Sequence, residues 1–225
     1  MNQKNSQIEY VPGDKDILII APHGYRPPEG VERDSNDPTT TMDDERTNFL
    51  ARSARSKLNC SALINEKVQR LTCDYNSVNQ AQSDSQFIDD IKRVVKEKSP
   101  TLVVWIHGIK ENKLESEKTA MGLNSDDPLD CLIGYGQPDR KTAEENTVGR
   151  LIQAFKEQNI VAMRTRPNAN DYKGWALDNM NQWFRQQGQA YPLDKVQSVQ
   201  LEFKKAEIRG SKDEAQKMGE VIADA

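Results

Sequence analysis

The chain holds only two histidines in 225 residues, and both end an apolar run. In "DILIIAPHG" the run breaks into proline and glycine at His23, and "TLVVWIHG" closes in the same way at His107. Two imidazoles placed alike could share a metal ion. Zinc in hydrolytic sites commonly takes two histidines and one carboxylate and leaves a position for water, whose pKa falls to about 7. With no third histidine, a His-based zinc site uses both residues or does not exist. The plainer reading of either residue alone is a polar group at a strand end, satisfied by backbone. A glycine after each is expected to permit a sharp turn that projects the imidazole into a crevice.

Glu202, in "VQSVQLEF", is the other residue whose placement suggests chemistry. A carboxylate within an apolar strand pattern is costly unless it is paired, protonated or part of a site. The alternative is a half-exposed strand with Gln200 and Glu202 facing solvent.

Positioning these groups falls to a repeating series of short apolar runs and helical periods. Buried strands are expected at 16–21, 61–65, 101–107, 160–165 and 196–203, short β-branched or apolar runs of the kind that helices cover on both faces. Helices are expected through "DERTNFLARSARSKL", "DSQFIDDIKRVVKEK" with Asp84 as cap, "AEENTVGRLIQAFKEQ", "GWALDNMNQWFRQQG" stopped by Gly188, and "SKDEAQKMGEVIADA" capped by Ser211. Strand and helix in alternation imply an α/β fold: one domain over 1–225, a mixed, mostly parallel sheet with helices on both faces, and 1–14 peripheral or disordered. In such a sheet ligands bind beyond the carboxyl ends of the strands, where both histidines are expected to lie. "YRPPEGVERDSNDPTTTMDD" and "KENKLESEKTAMGLNSDDPLDCLIGYGQPDRK" break the alternation and read as long loops, one beginning at each histidine.

Composition bounds the possibilities. With 35 acidic against 31 basic side chains the net charge is -4, which argues against general nucleic-acid binding. No apolar run reaches the roughly 20 residues of a membrane span, and the first residues lack the pattern of a secretion signal. Three cysteines, Cys60, Cys73 and Cys131, are odd in number and have no metal-type spacing, which suits reduced thiols. The expectation is a cytoplasmic protein.

The order of segments resembles the N-formylglutamate amidohydrolase family and the wider zinc carboxypeptidase-like group, which includes phage-type poly-γ-glutamate hydrolases. The resemblance runs over most of the chain, from "IIAPHG" through "DERTNFLA", "INEKVQRLTCDYN", "VVWIHG" and "IGYG" to "SVQLEFKKAEIR". It implies one Zn2+ per chain on His23 and His107, and Glu202 as the group that takes a proton from metal-bound water and returns it to the leaving amine. The third ligand departs from the carboxypeptidase pattern, because "HGYR" has Arg26 where His-x-x-Glu has its acid. The formylglutamate branch places an acid at the start of the next helix, and among Asp43, Asp44 and Glu45 it is Asp44 that matches acid-x-x-Thr; Glu29 is a further candidate. Asp44 is equally well read as an acid favoured by the helix dipole.

The family's Asp-x-Asn-Arg element, whose arginine grips a substrate carboxylate, appears here as "DYNS". Asp74 and Asn76 match and Ser77 replaces the arginine, so that Arg70, Arg164 or Arg166 is left to supply the charge. The implied reaction is hydrolysis of an amide in an N-acyl amino acid, N-formylglutamate-like, γ-glutamyl or peptide-like substrate, and the missing arginine favours an acyl-amino or isopeptide substrate over N-formylglutamate itself. A catalytically inactive descendant acting as a binding or interaction module is the alternative. A serine-hydrolase reading lacks a G-x-S-x-G elbow. A phosphate-binding loop at "GYGQPD" lacks both a preceding strand and a helix opening on its glycines.

Overall fold

A computed structural model describes residues 8–24, 44–99, 101–165, 174 and 176–225. Its strands are β1 (Glu9–Val11), β2 (Lys15–Ala21), β3 (Cys60–Ile64), β4 (Thr101–Gly108), β5 (Cys131–Gly134), β6 (Ala162–Arg164) and β7 (Val196–Phe203). The helices are α1 (Thr47–Leu58), α2 (Val78–Ala81), α3 (Ser85–Glu97), α4 (Glu111–Ala120), α5 (Glu145–Glu157), α6 (Met180–Gln186) and α7 (Lys212–Asp224). Among the described residues the seven strands form one sheet in the order β1-β3-β2-β4-β7-β5-β6. The central four, β3, β2, β4 and β7, run parallel, while β1 lies antiparallel on β3 and β5 antiparallel on β7. The fold is the expected α/β arrangement around a mixed, mostly parallel sheet.

Alternate residues of the central strands feed two cores. Ile19, Ala21, Val104, Ile106, Val199, Leu201 and Phe203 join side chains of α1, α5 and α7 on one face. Leu18, Ile20, Val103, Trp105 and Val196 pack with α3 and α6 on the other. Burial on both faces is why these strands read as near-continuous apolar runs. The α1–α7 contact is close because Gly219 has no Cβ, which would lie 2.5 Å from the Leu50 carbonyl oxygen.

Several helix ends follow their expected caps. Asp84 accepts from the Phe87 amide at 3.2 Å. Ser211 and Glu214 exchange side-chain and backbone bonds in a capping box, satisfying two donors at the start of α7. Gly188, with φ 61°, follows the C-cap of α6 in the left-handed region.

The segment after His107 differs from expectation. It is not a long loop: it forms α4 and then β5, so "IGYG" contributes two strand residues and "GYGQPD" does follow a strand. No helix opens on its glycines, since α5 begins at Glu145. Part of the N-terminal stretch expected to be peripheral or disordered, Glu9–Val11, pairs with β3 as the edge strand. The first long loop, with Arg26, Glu29 and Asp43, lies outside the described residues, as does Arg166. Among the described residues no helix is long and apolar enough to cross a membrane.

Candidate metal centre

His23 lies two residues beyond β2, His107 near the end of β4, and Glu202 near the end of β7, so neighbouring parallel strands deliver all three to one edge of the sheet. His107 and Glu202 are register partners across β4 and β7. Asn65 fixes the exit of β2: its amide side chain donates to the Pro22 carbonyl at 2.7 Å and to that of Val68 at 2.8 Å. The Asp44 backbone amide then donates to the His23 carbonyl at 3.0 Å, bringing the start of α1 over the same edge.

The glycines after the histidines have a different reason from the one expected. Neither has a positive φ; among the described residues the glycines that do are Gly122, Gly136, Gly174 and Gly188. What they permit is close approach. A Cβ on Gly24 would lie 2.8 Å from the Asn48 Cβ, and one on Gly108 would lie 2.3 Å from the Arg209 Cζ.

Two imidazoles and one carboxylate converge. Asp44 Oδ2 is 3.2 Å from His23 Nδ1 and 2.9 Å from His107 Nδ1. The three ligand atoms all lie within 4.8 Å of one another, and all three residues are buried. The N-cap of α1 is Arg46 in a left-handed conformation; Asp44 accepts from the Thr47 amide and hydroxyl through its main-chain carbonyl, and its carboxylate faces the histidines instead. Of the other acids considered, Glu45 pairs with Arg46 and Lys205 instead.

The far side of His23 is held as well. Its Nε2 lies 2.7 Å from Asp74 Oδ1, which also accepts the Asn76 amide, and Arg70 Nε donates to Asp74 Oδ2 at 3.0 Å. Asp74 thus orients an imidazole, a part not read from the sequence, where it counted only toward substrate recognition. Metal-ligating histidines characteristically carry such a second partner, which fixes the tautomer.

This arrangement leaves the site short of positive charge. A neutral imidazole donates through one nitrogen only, yet both nitrogens of His23 face carboxylates. Either a second proton or a cation must sit between Nδ1 and Asp44. Burial alone would depress the His23 pKa, but Asp44 and Asp74 outweigh it and raise the imidazole to about 9. Burial would likewise raise both carboxyls, and the histidines hold Asp44 and Asp74 well below the usual range instead. Metal binding exchanges such a proton for the ion. The donor set of two nitrogens and an oxygen, with His107 Nε2 buried and unpartnered among the described residues, fits zinc.

Glu202 is only 4% exposed, and Gln200 3%. The half-exposed strand considered above is therefore not what forms. Gln200 donates to Glu202 Oε1 and accepts from Asn179 through its own oxygen at 3.2 Å. Burial, the largest influence, pushes the Glu202 carboxyl up, which suits a group that must hold and release a proton.

The structure does not gather every residue considered. Arg70 stands beside Asp74, and Asn76 has its side-chain oxygen buried with no partner among the described residues. Arg164 is exposed on edge strand β6, where its Nε is 3.6 Å from a Glu145 carboxylate oxygen, and β7 and β5 separate that strand from β4. Cys60, Cys73 and Cys131 are free thiols outside the metal-type cluster.

No family model matches the sequence, and no curated protein matches it. Among solved structures, the chain is similar to N-formylglutamate amidohydrolase from Ralstonia eutropha JMP134, with TM-score 0.66 and 12% identity over 96% of this chain and 94% of that one. It is similar to a gene product of Agrobacterium tumefaciens at TM-score 0.64 and 13% identity, covering 99% and 94% of the two chains. A bacteriophage poly-γ-glutamate hydrolase follows at TM-score 0.46 and 15% identity, with 96% and 85% covered. At such identities the likeness is one of fold. That fold is shared with the enzyme whose family the sequence segments resemble.

Proposed function

We propose that the chain is a zinc-dependent amidohydrolase that cleaves the amide bond of an N-acyl amino acid, γ-glutamyl or peptide-like substrate. The observation that carries this reading is the buried His23–Asp44–His107 cluster, in which both nitrogens of His23 face carboxylates, so that Nδ1 must share a proton or a cation with Asp44; we place a cation there. His23, Asp44 and His107 would hold the ion, one per chain. The chemistry a zinc ion supplies in such a site is Lewis acidity, which activates water and polarises an amide carbonyl.

The chain's own residues divide the remaining work. Glu202 takes a proton from the attacking water on a carboxylate oxygen and delivers it to the departing amine nitrogen. Its buried setting favours the protonated form and so eases that uptake. Asp74 keeps His23 in one tautomer and one orientation. Arg70 and Asn76 flank Asp74 and would meet the polar end of the substrate, with the unpartnered Asn76 oxygen accepting from a substrate N–H.

Elemental analysis of the purified protein, beside the His23→Ala, His107→Ala double variant, tests the reading. About one zinc per chain, absent from the variant, together with zinc-dependent hydrolysis in a screen of N-acyl amino acids and γ-glutamyl amides, supports it. Absence of zinc from the wild type even after incubation with excess metal would overturn it in favour of the binding-module alternative.

A further inference from the structure

The reaction described above gives no part to Arg209, although this side chain is 4% exposed. Its guanidinium donates to three main-chain carbonyls: Nε to Phe203 at 3.1 Å, Nη1 to Glu45 at 2.9 Å and Nη2 to Ile109 at 3.0 Å. Each carbonyl belongs to a neighbour of a site residue. Glu45 follows Asp44, Phe203 follows Glu202, and Ile109 stands two residues after His107. The space for the guanidinium exists because residue 108 is glycine: a Cβ there would lie 2.3 Å from Cζ and 2.5 Å from Nη2.

Burying a guanidinium without a hydrogen-bonded carboxylate is costly, and among the described residues all three of these bonds go to carbonyls. A rigid planar fork can join three carbonyls at fixed angles, which the point charge of lysine cannot. We propose that Arg209 is a positioning residue that locks the main chain beside Asp44, His107 and Glu202 into one frame, so that the two imidazoles and the carboxylates meet at hydrogen-bonding distance. For zinc binding this rests on the reading under Proposed function. For the hydrogen bonds of the imidazoles it does not.

The test compares Arg209→Lys, Arg209→Met, Gly108→Ala and the Gly108→Ala, Arg209→Met pair with the wild type. Because the chain has two histidines, long-range 1H–15N spectra of the metal-free protein show two imidazole systems, one for each. Thermal unfolding and zinc affinity by chelator competition are recorded beside them. The expected result is that both imidazole systems shift in each single variant and that zinc affinity falls by about tenfold or more. Gly108→Ala should then add less than about twofold once Arg209 is Met, because the group it displaces has gone.

Lowered thermal stability with imidazole signals and zinc affinity unchanged would reduce Arg209 to a purely structural role and overturn the proposal. So would an undiminished effect of Gly108→Ala in the Arg209→Met background. If Arg209→Met does not fold, Arg209→Lys and Gly108→Ala decide by their imidazole signals. A wild type that takes no zinc sinks the hydrolase reading, and the metal-free spectra still decide this one.

Discussion

Strand β7 carries two faces of opposite character although both are covered. Toward α1, α5 and α7 it presents Val199, Leu201 and Phe203, and Phe203 meets the Phe155 ring edge-on with centroids 6.1 Å apart. Toward α3 and α6 it begins apolar at Val196 and then turns polar through Ser198, Gln200 and Glu202, all buried. Solvent therefore does not explain the polar face. Ser198 is satisfied by Trp105 Nε1 at 3.0 Å and by Asn181, Gln200 by Asn179 and Glu202, while Glu202 ends the ladder beside the histidines. One face is built for cohesion, and the other gives up cohesion for directed polar groups at the carboxyl edge.

The sharpest break of this contrast is a pair of neighbouring substitutions. Under the proposed function, Glu202→Gln should lower turnover by about 10²–10⁴-fold while zinc is retained and stability is unchanged or raised. Steady-state rates beside metal content check this, and full activity in the variant would remove Glu202 from its role. Leu201→Ala, one residue away on the apolar face, should instead lose about 2–5 kcal/mol in urea unfolding, with zinc affinity of the folded protein intact. If the two variants behave alike, the division between the faces fails.

Next in size is Asp74→Asn, which keeps the shape but weakens the hold on His23. Chelator competition should show a fall in zinc affinity of about 10–100-fold. A further prediction concerns pH. His23 has its pKa raised from 6.5 to about 9, so the stability this gives the metal-free protein is fully present below 6.5 and is lost as pH rises through about 9. Scanning calorimetry of chelator-treated protein should show Tm declining across that window. In the zinc-loaded protein His23 keeps its Nε2 proton toward Asp74 but has no second proton to lose, so its contribution rises with pH up to 6.5 and is level above; a decline matching the metal-free protein would contradict zinc at Nδ1.

The two faces also explain what could be read from the sequence. Strands β2 and β4 were legible because apolar runs of five residues, 17–21 and 102–106, stand out, β7 because Val196, Val199, Leu201 and Phe203 do, and α3 and α7 because Asp84 and Ser211 announce them. Helix α4 was not, since it buries Leu114 with the charged Glu117 and Lys118 and so lacks an apolar stripe. Strand β5 is four residues long and sits between proline- and glycine-rich stretches. The histidines showed themselves through matching contexts. Asp74 as the partner of His23, the close approach at Gly108 and the fork at Arg209 did not, because each depends on a residue 51 to 164 positions away in the chain. Glu202 stood out chemically, yet its alternation with Val199, Leu201 and Phe203 also suits a wet strand, and only cover on both sides separates the two cases.

The meeting of three side chains on Asp44 and Asp74 also orders events in time. His23 reaches Asp44 across 21 positions, whereas His107 reaches the same oxygen across 63, after β4 has aligned beside β2. Parallel pairing of distant segments is slow to form. A zinc ion bound by His23, Asp44 and His107 would therefore be captured only by a nearly finished sheet: it would leave the rate of folding almost untouched and act chiefly by slowing escape from the native state.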